Sequence, residues 1–165
     1  MDRYCDVEAV RVCAEGIVGP EVLARDVWRR YRIALAFTEV HIGCPADEQI
    51  RWLSEFWHAA LCLRRDGVPL EAVTVWALLG SFDWDSLLTN DSGHYEPGAF
   101  DISAGTPQMT ELGAALSGLA RDGRIYNPAL AQAGWWRRPE RIVYPPRSRV
   151  YGDRNVAYMI ASSSR

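Results

Sequence analysis

The sequence predicts an α/β fold in which parallel strands alternate with amphipathic helices. Two observations carry this. Residues 33–40 (IALAFTEV) and 72–77 (AVTVWA) are short, near-continuous apolar runs of the kind shown by strands buried on both faces. Around them, apolar residues recur at helical spacing, so the order is helix, strand, helix, strand, helix. The connections are long enough for parallel crossovers.

Each element has a local reason. Residues 20–31 (PEVLARDVWRRY) place Val22, Leu23, Val27 and Trp28 on one side of a helix, with Gly19 at the N-cap and Pro20 in the first turn. The first strand ends in a carboxylate, Glu39, and is followed by the loop His41-Ile42-Gly43-Cys44. From Pro45 to Arg65, Ile50, Leu53, Trp57, Ala60 and Leu61 recur at three and four, with Asp47 and Glu48 in the first turn. Trp52 and Trp57 lie five apart and so do not share a face, which leaves Trp57 as the core candidate. Asp66-Gly67 stops this helix, and the β-branched run 72–77 follows. A polar, aromatic-studded loop occupies 80–105. A last helix is expected over 107–122, capped by Thr106, with Leu112, Leu116 and Leu119 inward. Residues 126–165 show little periodicity and read as a linker and a poorly ordered tail, most of the latter from 141 onward. Residues 1–19 give no clear period, although Val7, Val10 and Val12 suit a short strand or loop.

Composition narrows the chemistry. The chain has 165 residues and a net charge of −3, with 48% apolar and 11% aromatic residues, the content of one ordinary globular domain. No stretch approaches the roughly 18 to 20 apolar residues of a membrane span, and the N-terminus lacks a signal-peptide layout, so the chain reads as cytoplasmic. All 18 basic residues are arginine. That removes a P-loop lysine, a Schiff-base lysine and the Tyr-x-x-x-Lys pair of short-chain reductases. The 13 glycines form no G-x-G-x-x-G, so no dinucleotide cofactor is signalled, and the mild acidity argues against nucleic acid as a partner. Cys5, Cys13, Cys44 and Cys62 have neither metal-ligand spacing nor a disulfide pattern and read as buried thiols. Asp85 and Asp91, without a third oxygen cluster, read as turn residues rather than metal ligands. His58 and His94 read as structural or solvated.

The candidate chemistry gathers at the strand ends. Glu39 stands at the C-terminal end of its strand, the edge at which parallel α/β folds assemble their sites; a structural carboxylate held by an arginine is the alternative. His41, two residues on, points to the same side of an extended chain. After the second strand come Trp76, Asp83 and Trp84. Flat apolar rings for a pyranose and a carboxylate for its hydroxyls are the ingredients of a sugar site; a core tryptophan and a turn are the alternative.

These residues carry a resemblance. Phe37-Thr38-Glu39 resembles the Ile-Thr-Glu-Asn-Gly segment on strand seven of family 1 glycoside hydrolases. Trp76 to Trp84 resembles their strand-eight Trp-Ser-Leu-Leu-Asp-Asn-Phe-Glu-Trp. The match runs from about residue 20 to 120, with Val40-His41 in place of Asn-Gly, Gly80-Ser81 in place of Asp-Asn and Asp83 in place of glutamate. With the segments His41 to Cys44 and Gly93 to Asp101, the chain is closer still to a bacterial variant in which a glycosidase-like barrel precedes a dTDP-4-dehydrorhamnose reductase-like domain. Trp135-Trp136-Arg137-Arg138-Pro139 resembles the linker of that variant.

The resemblance implies a partial (β/α)₈ barrel, about its last two β/α units, within residues 1–125. It implies Glu39 as nucleophile, Trp76 as stacking platform, Asp83 as ligand of sugar hydroxyls and Trp84 as a further sugar contact, with His41 beside them. The expected partner is a β-linked carbohydrate, with no cofactor and no metal. No Asn-Glu-Pro is present to supply the acid/base; Glu96-Pro97 follows Tyr95, out of place for that role. The expectation is therefore a retaining glycosidase-type chain that is incomplete and weakly active or inactive alone. It would associate with itself or with a complementary barrel half. The alternatives are a non-catalytic carbohydrate-binding module of a fused sugar-nucleotide enzyme and a truncated reading frame without independent function.

Overall fold

The structure, a computed structural model, describes Arg11, residues 16–86 and residues 89–142, with only the backbone at Asp85. The readings made for Cys5, Cys13, the valines of the first segment and the tail from 143 onward lie outside these residues. The chain divides into two compact units, one formed by Met1–Ile17 with Pro139–Arg165, the other by Val18–Arg138. Of the first, the described part includes a 3₁₀ turn over Pro139–Arg141, closed by the Ile142 amide donating to the Pro139 carbonyl at 3.2 Å. The second holds the helices Pro20–Tyr31, Ala46–Arg65 and Glu111–Asp122 and the paired strands.

That unit is mixed α/β. Helix α1 (Pro20–Tyr31) leads to strand β1 (Leu35–Val40), helix α2 (Ala46–Arg65) and strand β2 (Leu70–Val75), and β1 and β2 pair in parallel. Two short antiparallel pairs follow, β3 (Ser81–Phe82) with β4 (Tyr95–Glu96) and β5 (Phe100–Asp101) with β6 (Gln108–Met109). Helix α3 (Glu111–Asp122) comes after them. The described residues contain a βαβ unit and no barrel. No helix among them is long and apolar enough to cross a membrane.

Helix α2 is the centre of the packing. Leu63 and Ala60 meet Ala24, Val68 and Leu70 with Trp28, Leu35, Phe37 and Val73 around them. Ile50 and Leu53 meet Leu112, Ala115 and Leu119 of α3, with Leu116 and Trp57 at the margin. The Trp57 indole also donates to the Gly123 carbonyl at 3.3 Å.

Several expectations are corrected. β1 and β2 are not buried on both faces. Leu35 and Phe37 face the helices, whereas Ala36, Thr38, Ala72 and Thr74 are exposed, because no further layer covers that side. On α1 the buried residue is Ala24, and Val22, Leu23 and Val27 are exposed; helical spacing gathers them on a face but supplies nothing to cover it. Leu61 is exposed for the same reason. β2 ends at Val75 rather than Ala77 because its partner ends: the Trp76 amide, 3.4 Å from the Val40 carbonyl, is the last rung. Helix α3 starts at Glu111, with Thr110 rather than Thr106 as its cap. The Thr110 hydroxyl accepts from the Gly113 amide at 3.2 Å and donates to the Gly98 carbonyl at 2.7 Å. Residues 108 and 109, expected in the first turn, pair with β5 instead.

The segment read as the start of a linker is docked on α2. Trp136 is only 2% exposed, its ring stands edge-on to Trp52 at 4.8 Å, and its indole donates to Glu55 at 2.7 Å. Arg137 pairs with Glu55, and Arg138 pairs with Glu48 at 2.7 Å. Glu48 also holds the buried Arg51 at 2.8 Å and accepts from the Trp135 amide at 3.1 Å.

Candidate functional site

The predicted residues lie at the C-terminal edge of the β1–β2 pair. Phe37 is opposite Val73 and Val40 is opposite Val75, so β1 spends one more residue than β2 over this stretch. The extra residue makes a bulge at Thr38-Glu39, and Glu39 takes a left-handed φ of 54°. A bulge bends its strand and re-aims a side chain, and a non-glycine residue in the left-handed region is uncommon and strained. Glu39 is exposed, and no arginine pairs with it among the described residues. The structural reading of this carboxylate, a buried charge clamped by a guanidinium, therefore has no support here.

Trp76 follows β2 directly. Its ring meets Trp84 at a centroid separation of 4.3 Å and His41 at 5.4 Å, the latter edge-on. Trp84 is 44% exposed, so the pair offers open aromatic surface. The peptide between Trp76 and Ala77 is cis.

The loop behind this pair is fixed by backbone bonds. The Ala99 amide donates to the Ala77 carbonyl at 3.0 Å, and the Phe100 amide to Leu78 at 2.9 Å. Gly98 passes so close to Ala77 that a Cβ there would collide with the Ala77 carbonyl oxygen. Tyr95 ties the loop from within, its hydroxyl donating to the Leu79 carbonyl at 2.8 Å and accepting from the Ile102 amide at 3.1 Å.

Asp83 is engaged within this loop. Its Oδ1 accepts from the Ser92 hydroxyl at 2.6 Å and the His94 amide at 2.8 Å, and Oδ2 accepts from the Gly93 amide at 2.9 Å. The Ser92 bond foremost, with the two amides adding, lowers its pKa to about 2 against a weaker opposing effect of desolvation. Asp83, expected to bind sugar hydroxyls, is thus the acceptor that closes the turn over 83–94.

A second carboxylate enters the site, Glu96, which the sequence reading placed outside the acid/base role and assigned no other. Glu96 on β4 faces His41, with Oε2 3.9 Å from Nε2, and lines a cavity of about 420 Å³ together with Gly43, Cys44, Gln49, Thr110 and Leu112. The sequence reading weighed the residue only as an acid/base and had no signal for its place beside His41, since a two-residue strand has no period to read. His94 is exposed and His58 bonds within its own helix, its Nδ1 2.8 Å from the Ser54 carbonyl oxygen. Among the described residues no three His, Cys, Asp or Glu side chains converge as metal ligands.

The structure therefore brings His41, Trp76 and Trp84 into one contiguous group, sets Glu39 on the neighbouring strand end, and turns Asp83 to a structural bond network. Comparison with known proteins adds nothing to this geometry: no family model, no curated protein and no solved structure matches the chain.

Proposed function

We propose that the chain is a glycoside hydrolase-like protein of the retaining β-glycosidase type, carrying the nucleophile and aromatic half of a β-glycoside site. In this reading the β1–α2–β2–α3 succession is the last two β/α units of a (β/α)₈ barrel. The observation that carries it is the placement of a bulged, exposed Glu39 at the end of β1 and of Trp76 just past the neighbouring end of the parallel strand β2, with the Trp84 ring tilted against it at 4.3 Å. Parallel α/β folds bind ligands at that edge, and aromatic faces suit the apolar face of a sugar ring.

The chemistry follows from what the residues supply. Retention requires one carboxylate to attack the anomeric carbon and another, about 5 to 5.5 Å away, to protonate the departing oxygen. Glu39 provides the first. Without a paired acid, a poor leaving group departs slowly, so this chain by itself binds β-glycosides with little or no turnover. The exposed α1 face and the open face of the sheet suit association with a complementary barrel half or a second copy.

A fluoride leaving group removes the need for an acid. With 2-deoxy-2-fluoro-β-D-glucosyl fluoride, a Glu39 oxygen forms a bond to C1 as the C–F bond breaks and fluoride departs. The expected result is a one-to-one adduct on the Glu39 peptide by mass spectrometry, absent from Glu39→Gln. No adduct and no binding would overturn the proposal. Rapid hydrolysis of an aryl β-glucoside, abolished by Glu39→Gln, would overturn the claim of inactivity.

A further inference from the structure

Glu96 sits among polar atoms whose hydrogen-bonding capacity is unused. His41 Nε2 is buried without a hydrogen-bond partner, and so is the Ser81 hydroxyl. Both flank Glu96: His41 Nε2 is 3.9 Å from Oε2, and Ser81 is the direct cross-strand neighbour of Glu96 in the β3–β4 ladder. Directly opposed residues project from the same face of a two-stranded ladder. Buried polar groups are nearly always satisfied, and each exception calls for an explanation. Two such groups around one carboxylate set Glu96 in a polar corner rather than in apolar core.

The two carboxylate oxygens have different surroundings. Oε2 is turned toward His41, at a distance beyond a hydrogen bond. Oε1 lies over Gly43, where a Cβ would be 3.2 Å away, so the missing side chain leaves that oxygen clear. Glu96 is one-fifth exposed, through the cavity of about 420 Å³, a volume within the range of small-molecule pockets. The His41 ring that faces Glu96 also meets Trp76 edge-on at 5.4 Å, so one side chain stands between the carboxylate and the aromatic pair.

We propose that Glu96 is the ligand-binding carboxylate of this site, accepting hydrogen bonds from sugar hydroxyls through Oε1, with His41 and Ser81 as positioning residues behind it. This rests on the β-glycoside reading and deepens it. Vicinal hydroxyls are the chemical class that suits an acceptor-only group at a half-buried position, since an ionised carboxylate donates nothing and a hydroxyl always can. Asp83, with three donors already on its oxygens, is not the competitor its sequence position suggested.

The test is a titration of phenyl 1-thio-β-D-glucopyranoside, which resists hydrolysis, into the full chain, followed by tryptophan fluorescence. Glu96→Gln is expected to weaken binding at least tenfold while leaving the thermal midpoint unchanged. Gly43→Ala, which removes no functional group but presses a methyl on Oε1, is expected to weaken it severalfold. His41→Ala is expected to lower affinity and His41→Gln, which keeps a side-chain donor beside Oε2, to recover part of it, which a purely structural histidine would not do. If the unaltered chain binds and Glu96→Gln and Gly43→Ala bind equally well, the role of Glu96 is overturned and the β-glycoside reading stands. If the unaltered chain does not bind, the reading itself falls and takes this inference with it.

Discussion

The two sides of helix α2 contain similar apolar residues and use them differently. Toward α3, Ile50 and Leu53 are closed over by Leu112, Ala115 and Leu119, and Leu63 is closed over by Leu70 and by Ala24 of α1. Toward α1, the residues Val18, Leu23, Val27, Phe37, Trp52 and Phe56 surround an open cleft of about 440 Å³, and Val22, Tyr31 and Ile33 continue the exposed apolar surface. Hydrophobic composition is therefore not what separates core from surface here; the presence of a facing layer is. An exposed apolar patch of this extent is the mark of an interface, which fits the proposed half-barrel.

The comparison can be broken at its boundary. Trp136 caps the Trp52 end of the open side, and it is the most buried aromatic residue there. Trp136→Ala removes that cover and takes one donor from the Glu55 carboxylate, which Arg137 still pairs. A loss of about 3 to 5 kcal/mol is expected for a buried tryptophan, measured by urea unfolding. A loss below about 1 kcal/mol would mean that residues 126–138 behave as the linker their sequence suggests.

Within the unit the contrast sharpens to two leucines. Leu63 is fully buried and Leu23 is half exposed at 53%. Leu63→Ala is expected to cost about 2 to 5 kcal/mol. Leu23→Ser is expected to stay within about 0.5 kcal/mol and to reduce self-association in sedimentation. A large destabilisation by Leu23→Ser would show that α1 is covered in solution and that the two sides are alike.

How much of this was legible depends on what each residue's position depends on. The succession of helices and strands was readable because Ile50, Leu53, Leu112 and Leu119 repeat with a period, and Glu39 and Trp76 because they stand where such runs end. The face that α1 buries was not, since spacing groups Val22, Leu23 and Val27 without saying what lies opposite. Thr106 and Thr110 are equally good caps by type; the choice is made by the Gly98 and Ala99 carbonyls that receive the Thr110 hydroxyl. Trp136, read as linker, and Glu96, read as out of place, were misplaced for a common reason. Both are placed by contacts distant in sequence, Trp136 by Glu55 and Glu96 by His41, and neither sits in a segment long enough to show a pattern.

The same site contains a smaller contrast, between the saturated Asp83 and the open Glu96, and pH separates them. Asp83 has its pKa lowered to about 2 by the Ser92, Gly93 and His94 donors. A depressed carboxylate pKa contributes stability that is fully present above the unfolded value near 4 and is lost as pH falls through the folded one. The turn over 83–94 should therefore hold unchanged from neutral pH to about 4 and loosen between about 4 and 2. Because the group is at the surface, the effect is local. Amide exchange of Gly93 and His94 by NMR is the measurement, with an acceleration confined to that window and absent from Asp83→Asn, whose amide does not titrate. Acceleration that begins near pH 6 in both proteins would assign the loosening to another group and remove Asp83 as the closure of the turn.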